Sequence, residues 1–243
     1  MQGEQRSAVV FGARNLGRAV IELLVSDGWA VAGVARSRST LDGVSAAGAL
    51  ALKADVTDPA SVYGVLEQAA AAHDGVEFVL NAAAAYGGER TGPFGGGPIA
   101  EATLDGVRGW AAAVAEQCFV FLSTGLRALR ESGDGGTLIQ VTGGSARRAM
   151  PGRGLWSAGA QAARAMTHAA AQEVREEGIH VALLIVDATI ESPKTASYTR
   201  DAPKNSLADM RLIAEAVEYL ASQQPRAYTH ELMVTPAGDR WVP

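Results

Sequence analysis

The sequence predicts an α/β protein: a single Rossmann-type three-layer sandwich on a doubly wound parallel sheet of about seven strands. Three observations predict it. Short runs that are apolar throughout recur along the chain, as strands covered on both faces require. Segments of helical period separate them. The first run ends in a glycine turn followed by a helix and a second strand, within the length of one βαβ unit.

Each element is legible in order. "AVVFG" (8–12) is a strand entering glycine, "NLGRAVIELLVSDG" (15–28) a helix closing at glycine, and "WAVAGVAR" (29–36) a second buried strand. "ALALKAD" (49–55) is the third. "DPASVYGVLEQAAAAH" (58–73) is a helix with Asp58 as N-cap and Pro59 at its first position, both good start signals. "VEFVLNAAA" (76–84) is the fourth strand. A long helix spans about 104–131, a strand 136–144, a helix 157–178, and a continuous apolar strand 179–188. A helix over 206–222 and a strand over 230–238 finish the pattern. Residues 1–243 form one domain, with no internal linker. Two segments poor in structure signals, near 85–100 and 189–205, follow the carboxyl ends of strands. Ligands bind there in open α/β sheets, so mobile lids are expected.

The bulk numbers exclude several classes. At 243 residues and 48% hydrophobic content the chain can bury a sizeable core. Its net charge of −5 shows no basic face for nucleic acid or an anionic membrane. The single cysteine, Cys118, rules out an internal disulfide and lies in an apolar helical run, as a buried thiol would. No apolar run approaches the ~18 residues of a membrane span, and the N-terminus carries no apolar signal core. A soluble cytoplasmic protein is expected. The four histidines show no metal-ligand spacing, so no metal is expected.

"GARNLGRA" lies directly between a strand and a helix. Its small residues let backbone N–H groups approach a pyrophosphate at the helix N-terminus. Gly12, Arg14, Asn15, Leu16 and Gly17 are therefore candidate dinucleotide ligands, Asn15 because asparagine tolerates left-handed conformations. At the end of the second strand, where a carboxylate would take a ribose 2′-hydroxyl, stands "ARSRS". Guanidinium groups fork onto phosphate, so Arg36, with Ser37, Arg38 and Arg14, favours NADP(H) over NAD(H). The alternative is that these arginines are solvated loop residues. Asp55, with Val56, ends the third strand and is placed to meet an adenine amino group.

With these residues in place the sequence resembles the short-chain dehydrogenase/reductase family over nearly its full length. "FGARNLGRA" looks like that family's glycine turn, one residue shorter and with two glycines. "ADVTD" is similar to its adenine-contacting segment and "LNAAA" (80–84) to its Asn-Asn-Ala-Gly strand end. "TIESP" (189–193) parallels its nicotinamide loop and "HELMVTPAGD" its closing strand. The resemblance implies that Asn81, Ala82, Ala83 and Ile190 also face the cofactor, and that the chain assembles as a homotetramer or homodimer.

It also implies a catalytic tetrad of asparagine, serine, tyrosine and lysine, and here the chain departs. The asparagine position falls on Glu116, the serine on Gly143, the tyrosine on Trp156 and the lysine on Ala160. The family's Pro-Gly after the sixth strand becomes Asp187 and Ala188. Hydride transfer to a carbonyl develops charge on oxygen that must be protonated or held by donors. An indole N–H does not titrate usefully, and alanine neither lowers a pKa nor grips a ribose.

Replacements are available. Glu116 and Asp187 are two carboxylates that can divide into acid and base in a partly desolvated cleft; Glu116 can equally pair with an arginine or face a subunit interface. Tyr86 can lie over the cofactor or pack in its loop. Ser145 can donate a hydrogen bond or cap a loop. Ser157, Ser192 and Tyr198 line the same mouth if the family geometry holds, and Arg147, Arg148 and Arg153 can hold an anionic substrate or stay solvated. Three functions stand open: an NADP(H)-dependent oxidoreductase with an altered proton path, a catalytically silent cofactor-binding or partner subunit, and a non-redox acid/base enzyme using Glu116 and Asp187. No substrate is legible.

Overall fold

The computed structural model describes residues 5–83, 94–133, 135–193 and 195–239. In chain order its strands are β1 (Ser7–Phe11), β2 (Ala30–Ala35), β3 (Leu50–Lys53), β4 (Phe78–Asn81), β5 (Gly136–Gly143), β6 (Ile179–Val186), β7 (Thr189–Ile190), β8 (Leu207–Ala208) and β9 (Glu231–Val234). Its α-helices are α1 (Leu16–Ser26), α2 (Arg38–Ala46), α3 (Pro59–His73), α4 (Leu104–Val107), α5 (Ala113–Ser132), α6 (Gly154–Glu173), α7 (Ala196–Thr199) and α8 (Met210–Ala221). Seven strands form one parallel sheet in the order β3-β2-β1-β4-β5-β6-β9. The order reverses direction between β1 and β4, which opens a crevice at the carboxyl ends of those strands.

The core lies on both faces of the sheet. On one face α3, α5 and α6 close over Phe11, Val79, Leu138 and Phe121. On the other, α1 and α8 close over Val10, Leu80, Ile139 and Leu184. Every residue of β6 is buried, which is why that strand reads as unbroken hydrophobic sequence. Its one polar member, His180, meets Thr229 O through Nε2 at 3.0 Å, has no hydrogen-bond partner for Nδ1 among the described residues, and stacks on Tyr228 at 4.2 Å between ring centroids. Burial pushes the His180 imidazole below its ordinary pKa. Asp58 caps α3 as expected, its carboxylate accepting from the Ala60 N–H at 3.2 Å.

Several expectations need correcting. The stretch between β2 and β3 folds into α2; its polar sequence hides the helix, which buries only Val44. Helix α6 starts at Gly154, a turn earlier than the sequence suggested, and stops at Glu173 before a 3₁₀ turn over Arg175–Glu177. The segment 189–205 carries α7, and β7 pairs with β8 to close its ends. Residues 104–132 run as one rod through a π-helical stretch, Arg108–Ala112, and by length and composition alone this rod could cross a membrane. Of its most apolar window, 56% is buried inside the protein, against α3 and α6. Tyr86 and positions 85–93 of the first expected lid lie outside the described residues.

Candidate functional site

The glycine turn stands at the carboxyl end of β1. Gly12 has φ +82°, and a Cβ there would lie 2.6 Å from the Ala83 Cα, so the turn presses onto the end of β4. A Cβ on Gly17 would sit 2.9 Å from the Gly12 carbonyl carbon, which brings α1 against the turn. Asn15 adopts a positive φ of +51° but with ψ −113°, outside the left-handed helical region the sequence reading expected. Helix α1 opens directly after it with no side-chain cap and no acidic residue in its first turn. That end of the helix thus presents N–H groups with no partner among the described residues and the positive pole of the dipole, the arrangement an anion needs. Leu16 is buried and fixes the helix onto the sheet; Arg14 is exposed beside the turn.

At the end of β2, Arg36 is exposed and its Nη1 stands 3.7 Å from Asp55 Oδ2. Arg38 leans onto Asp42 one turn along α2 (3.0 Å), and Ser37 pairs with Thr40 (2.7 Å). All three ties are exposed and weak, so both guanidiniums can turn to a phosphate. Asp55 is less available than the sequence implied. Its Oδ1 accepts from the Thr57 N–H (3.0 Å) and hydroxyl (2.8 Å), and the first of these bonds chiefly lowers its pKa. Val56 packs against the core.

Asn81 is fully buried. Its Nδ2 donates to Gln140 Oε1 (2.8 Å) and its Oδ1 accepts from the Ala83 N–H (3.1 Å). Its side chain therefore holds the end of β4 in shape, while the backbone of Ala82 and Ala83 flanks the glycine turn. Ile190 offers its carbonyl to Thr195 Oγ1 (2.7 Å), and Ser192 shares the same turn. Tyr198 is 68% exposed.

The carboxylate pair does not assemble. Glu116 is exposed on α5. The next residue, Gln117, is the one that turns inward: it is 3% exposed and its Nε2 has no hydrogen-bond partner among the described residues. One residue is a rotation of about 100° on a helix, enough to exchange surface for interior. Asp187 is not a free acid either. Arg148 grips it with both terminal nitrogens, Nη2 at 3.0 Å and Nη1 closer still, with the Asp187 side chain 11% exposed. Arg147 reaches Glu231 (3.0 Å). Arg153 lies over the aromatic cluster, its guanidinium 5.4 Å from the centre of the Phe94 ring.

Trp156 lies on the first turn of α6 in an aromatic cluster. Its ring is 5.5 Å from Phe94 and 6.1 Å from Trp110, which are 5.2 Å from each other. The glycine-rich segment after position 93 is docked over it: the Trp156 N–H donates to Gly95 O (3.4 Å) and the Gly97 N–H to Gly152 O (3.1 Å). Edge-on aromatic contacts hold such a cluster together by packing, not by proton exchange. Ala160, one turn on, is 1% exposed, so no charged group occupies that point. Ser145, in the 3₁₀ turn after β5, is buried, and Ser157 is 1% exposed with an Oγ that has no hydrogen-bond partner among the described residues. Phe94, Trp110 and Gln117 were not legible as site residues; Trp110 and Gln117 looked like ordinary members of a long apolar helix.

The sequence pattern of the enoyl-(acyl carrier protein) reductase family matches residues 10–238. Among proteins of curated function, none matches the chain by sequence. Solved structures do match. An alcohol dehydrogenase from the archaeon Thermococcus sibiricus, complexed with 5-hydroxy-NADP, superposes with TM-score 0.79 at 22% identity, covering 99% of this chain and 100% of its own. A blue fluorescent protein from a metagenomic library, in complex with NADPH, gives 0.75 at 26% identity over 95% and 96%. A short-chain type dehydrogenase/reductase from Mycobacterium ulcerans gives 0.81 at 19% identity over 96% and 89%. With a parallel seven-stranded sheet, a glycine turn at its switch point and a family pattern spanning nearly all of it, the chain belongs to the short-chain dehydrogenase/reductase family.

Proposed function

We propose that this chain binds NADP(H) in the crevice at β1 and β4, and that the family's carbonyl reduction through a tyrosine proton has been lost from it. The observation that carries the first half is the uncapped α1 N-terminus set behind a turn too tight for any Cβ at Gly12. Backbone N–H groups of Asn15, Leu16 and Gly17 would hold the pyrophosphate. Arg36, with Arg14 and Arg38, would hold a 2′-phosphate. The NADPH and 5-hydroxy-NADP complexes of the two structural relatives support the same choice. A bound nicotinamide supplies hydride chemistry; the chain's own residues must then supply or hold the proton.

Trp156 and Ala160 stand where that proton path would run, and neither can carry it. The acid/base reading loses its support, because Arg148 neutralises Asp187 and Glu116 faces outward. A second reading, reduction with a proton from another hydroxyl, rests on Ser157 and its unpartnered buried oxygen. The exposed Leu104 and Phe119 favour assembly into a homodimer or homotetramer.

The test is fluorescence titration of the purified protein with NADPH and NADH, alone and as Arg36→Ala. One charge-assisted bond to phosphate is worth ~1.5–3 kcal/mol, so the variant should bind NADPH about 10- to 100-fold more weakly and NADH as before. Binding of NADH alone, or of neither dinucleotide, overturns the proposal. Turnover of a carbonyl that disappears in Ser157→Ala would favour the second reading.

A further inference from the structure

At the β9 edge of the sheet, the last turns of α6 and the start of β9 border a half-open cavity of about 330 Å³. It lies some twelve residues along α6 from Trp156, roughly 18 Å at the helical rise, and is no part of the dinucleotide crevice. Arg164, His168, Arg175, His230 and Glu231 line it. In a chain whose net charge is −5, two arginines and two histidines thus share one cavity with a single carboxylate.

The single carboxylate among them is already answered. Arg164 Nε sits 2.5 Å from Glu231 Oε2, and Arg147 Nη1 sits 3.0 Å from Oε1. Burial pushes the Glu231 carboxyl up, but these arginines and His168 outweigh it and hold its pKa below the ordinary value. The remaining donors have less to do. His168 Nε2 is 3.0 Å from Glu231 Oε2, off the line of a hydrogen bond but within ion-pair distance. His230 uses Nδ1 on Val181 O (3.1 Å), which leaves its other nitrogen. Arg175 makes no ion pair with any described residue; Glu173 and Glu177, its acidic neighbours, act on Arg130 instead.

We propose that this cavity binds a small phosphate-bearing molecule, held by Arg175, His168 and His230, at a site separate from the dinucleotide. A tetrahedral dianion suits donors converging from a helix, a 3₁₀ turn and a strand, and guanidinium plus imidazole is a recurrent phosphate-binding combination. Glu231, pinned by Arg164 and Arg147, sets the positions of those arginines and of His168 without cancelling the excess positive charge.

The probe is inorganic phosphate, and the reporter is the imidazole NMR spectrum of the four histidines. Saturable shifts are expected at His168 and His230, with His73, on α3, unmoved. Arg175 is exposed on a 3₁₀ turn, so Arg175→Ala should keep the fold, checked by its melting temperature, and weaken phosphate about tenfold. Arg175→Lys, which keeps the charge, should fall between the two. NADPH affinity should not change in either variant, which separates this site from the dinucleotide reading. Shifts matched by sodium chloride at equal ionic strength, equal movement at His73, or undiminished binding in Arg175→Ala would each overturn the proposal.

Discussion

Replacing Asp187 by asparagine decides whether that carboxylate is a working acid or a structural anchor. In the structure it is gripped by both terminal nitrogens of Arg148, with its side chain 11% exposed and that of Arg148 25% exposed. Asparagine keeps the shape and removes the charge. Removing one partner of a fully buried pair costs ~3–5 kcal/mol; with Arg148 a quarter exposed, about 2–3 kcal/mol is the reasonable loss. A protein of 243 residues has an unfolding entropy near 0.5 kcal/mol per degree, so the melting temperature should fall by about 4–6 °C. Differential scanning calorimetry of the wild type, Asp187→Asn, Arg148→Met and the double variant measures this. The double variant should recover part of the loss, because it leaves no charge unpaired. A carboxylate held ready for catalysis behaves oppositely: neutralising it commonly stabilises the fold at the expense of activity. A melting temperature unchanged or raised in Asp187→Asn would refute the anchoring role.

Other outcomes follow from the same structure. Burial pushes the Cys118 thiol up to about 12, so a thiol reagent at mildly alkaline pH should leave the native protein unmodified and react only once it unfolds, as a colorimetric thiol count would show. His180 is buried neutral, with its pKa lowered by desolvation, so the unfolded chain binds a proton that the folded chain refuses. Stability should therefore fall as pH drops below the ordinary histidine value of about 6.5, and His180→Phe should flatten that part of a melting-temperature profile. Gly12→Ala places a Cβ against Ala83, so NADPH titration should show binding lost even where circular dichroism shows the sheet retained.

The fold was legible because its signals are local and repeated. Apolar runs such as 179–186 and caps such as Asp58 report on their own neighbourhoods. Helix α2 escaped notice because it packs a single buried valine and otherwise faces solvent, leaving almost no hydrophobic period to read. Of the candidate site, the sequence reaches only what backbone shape defines, the turn from Gly12 to Gly17. The side-chain partnerships were not legible. Whether Asp187 is free depends on Arg148, thirty-nine residues away in sequence. Whether Glu116 or Gln117 faces inward depends on helix rotation that one shifted residue reverses. The aromatic cluster joins Phe94, Trp110 and Trp156 from three separate segments, and nothing in any one of them announces the others. Asn81 illustrates the converse: a residue at a familiar position, spent on holding a strand end together.

The most direct measurement is stopped-flow observation of NADPH in the saturated protein after mixing with a panel of aldehydes and ketones. A scaffold that keeps its dinucleotide but has an indole and a methyl group in place of the proton donors should hold NADPH and leave it unoxidised above the protein-free background. Rapid oxidation of bound NADPH by any of these carbonyls would contradict the account.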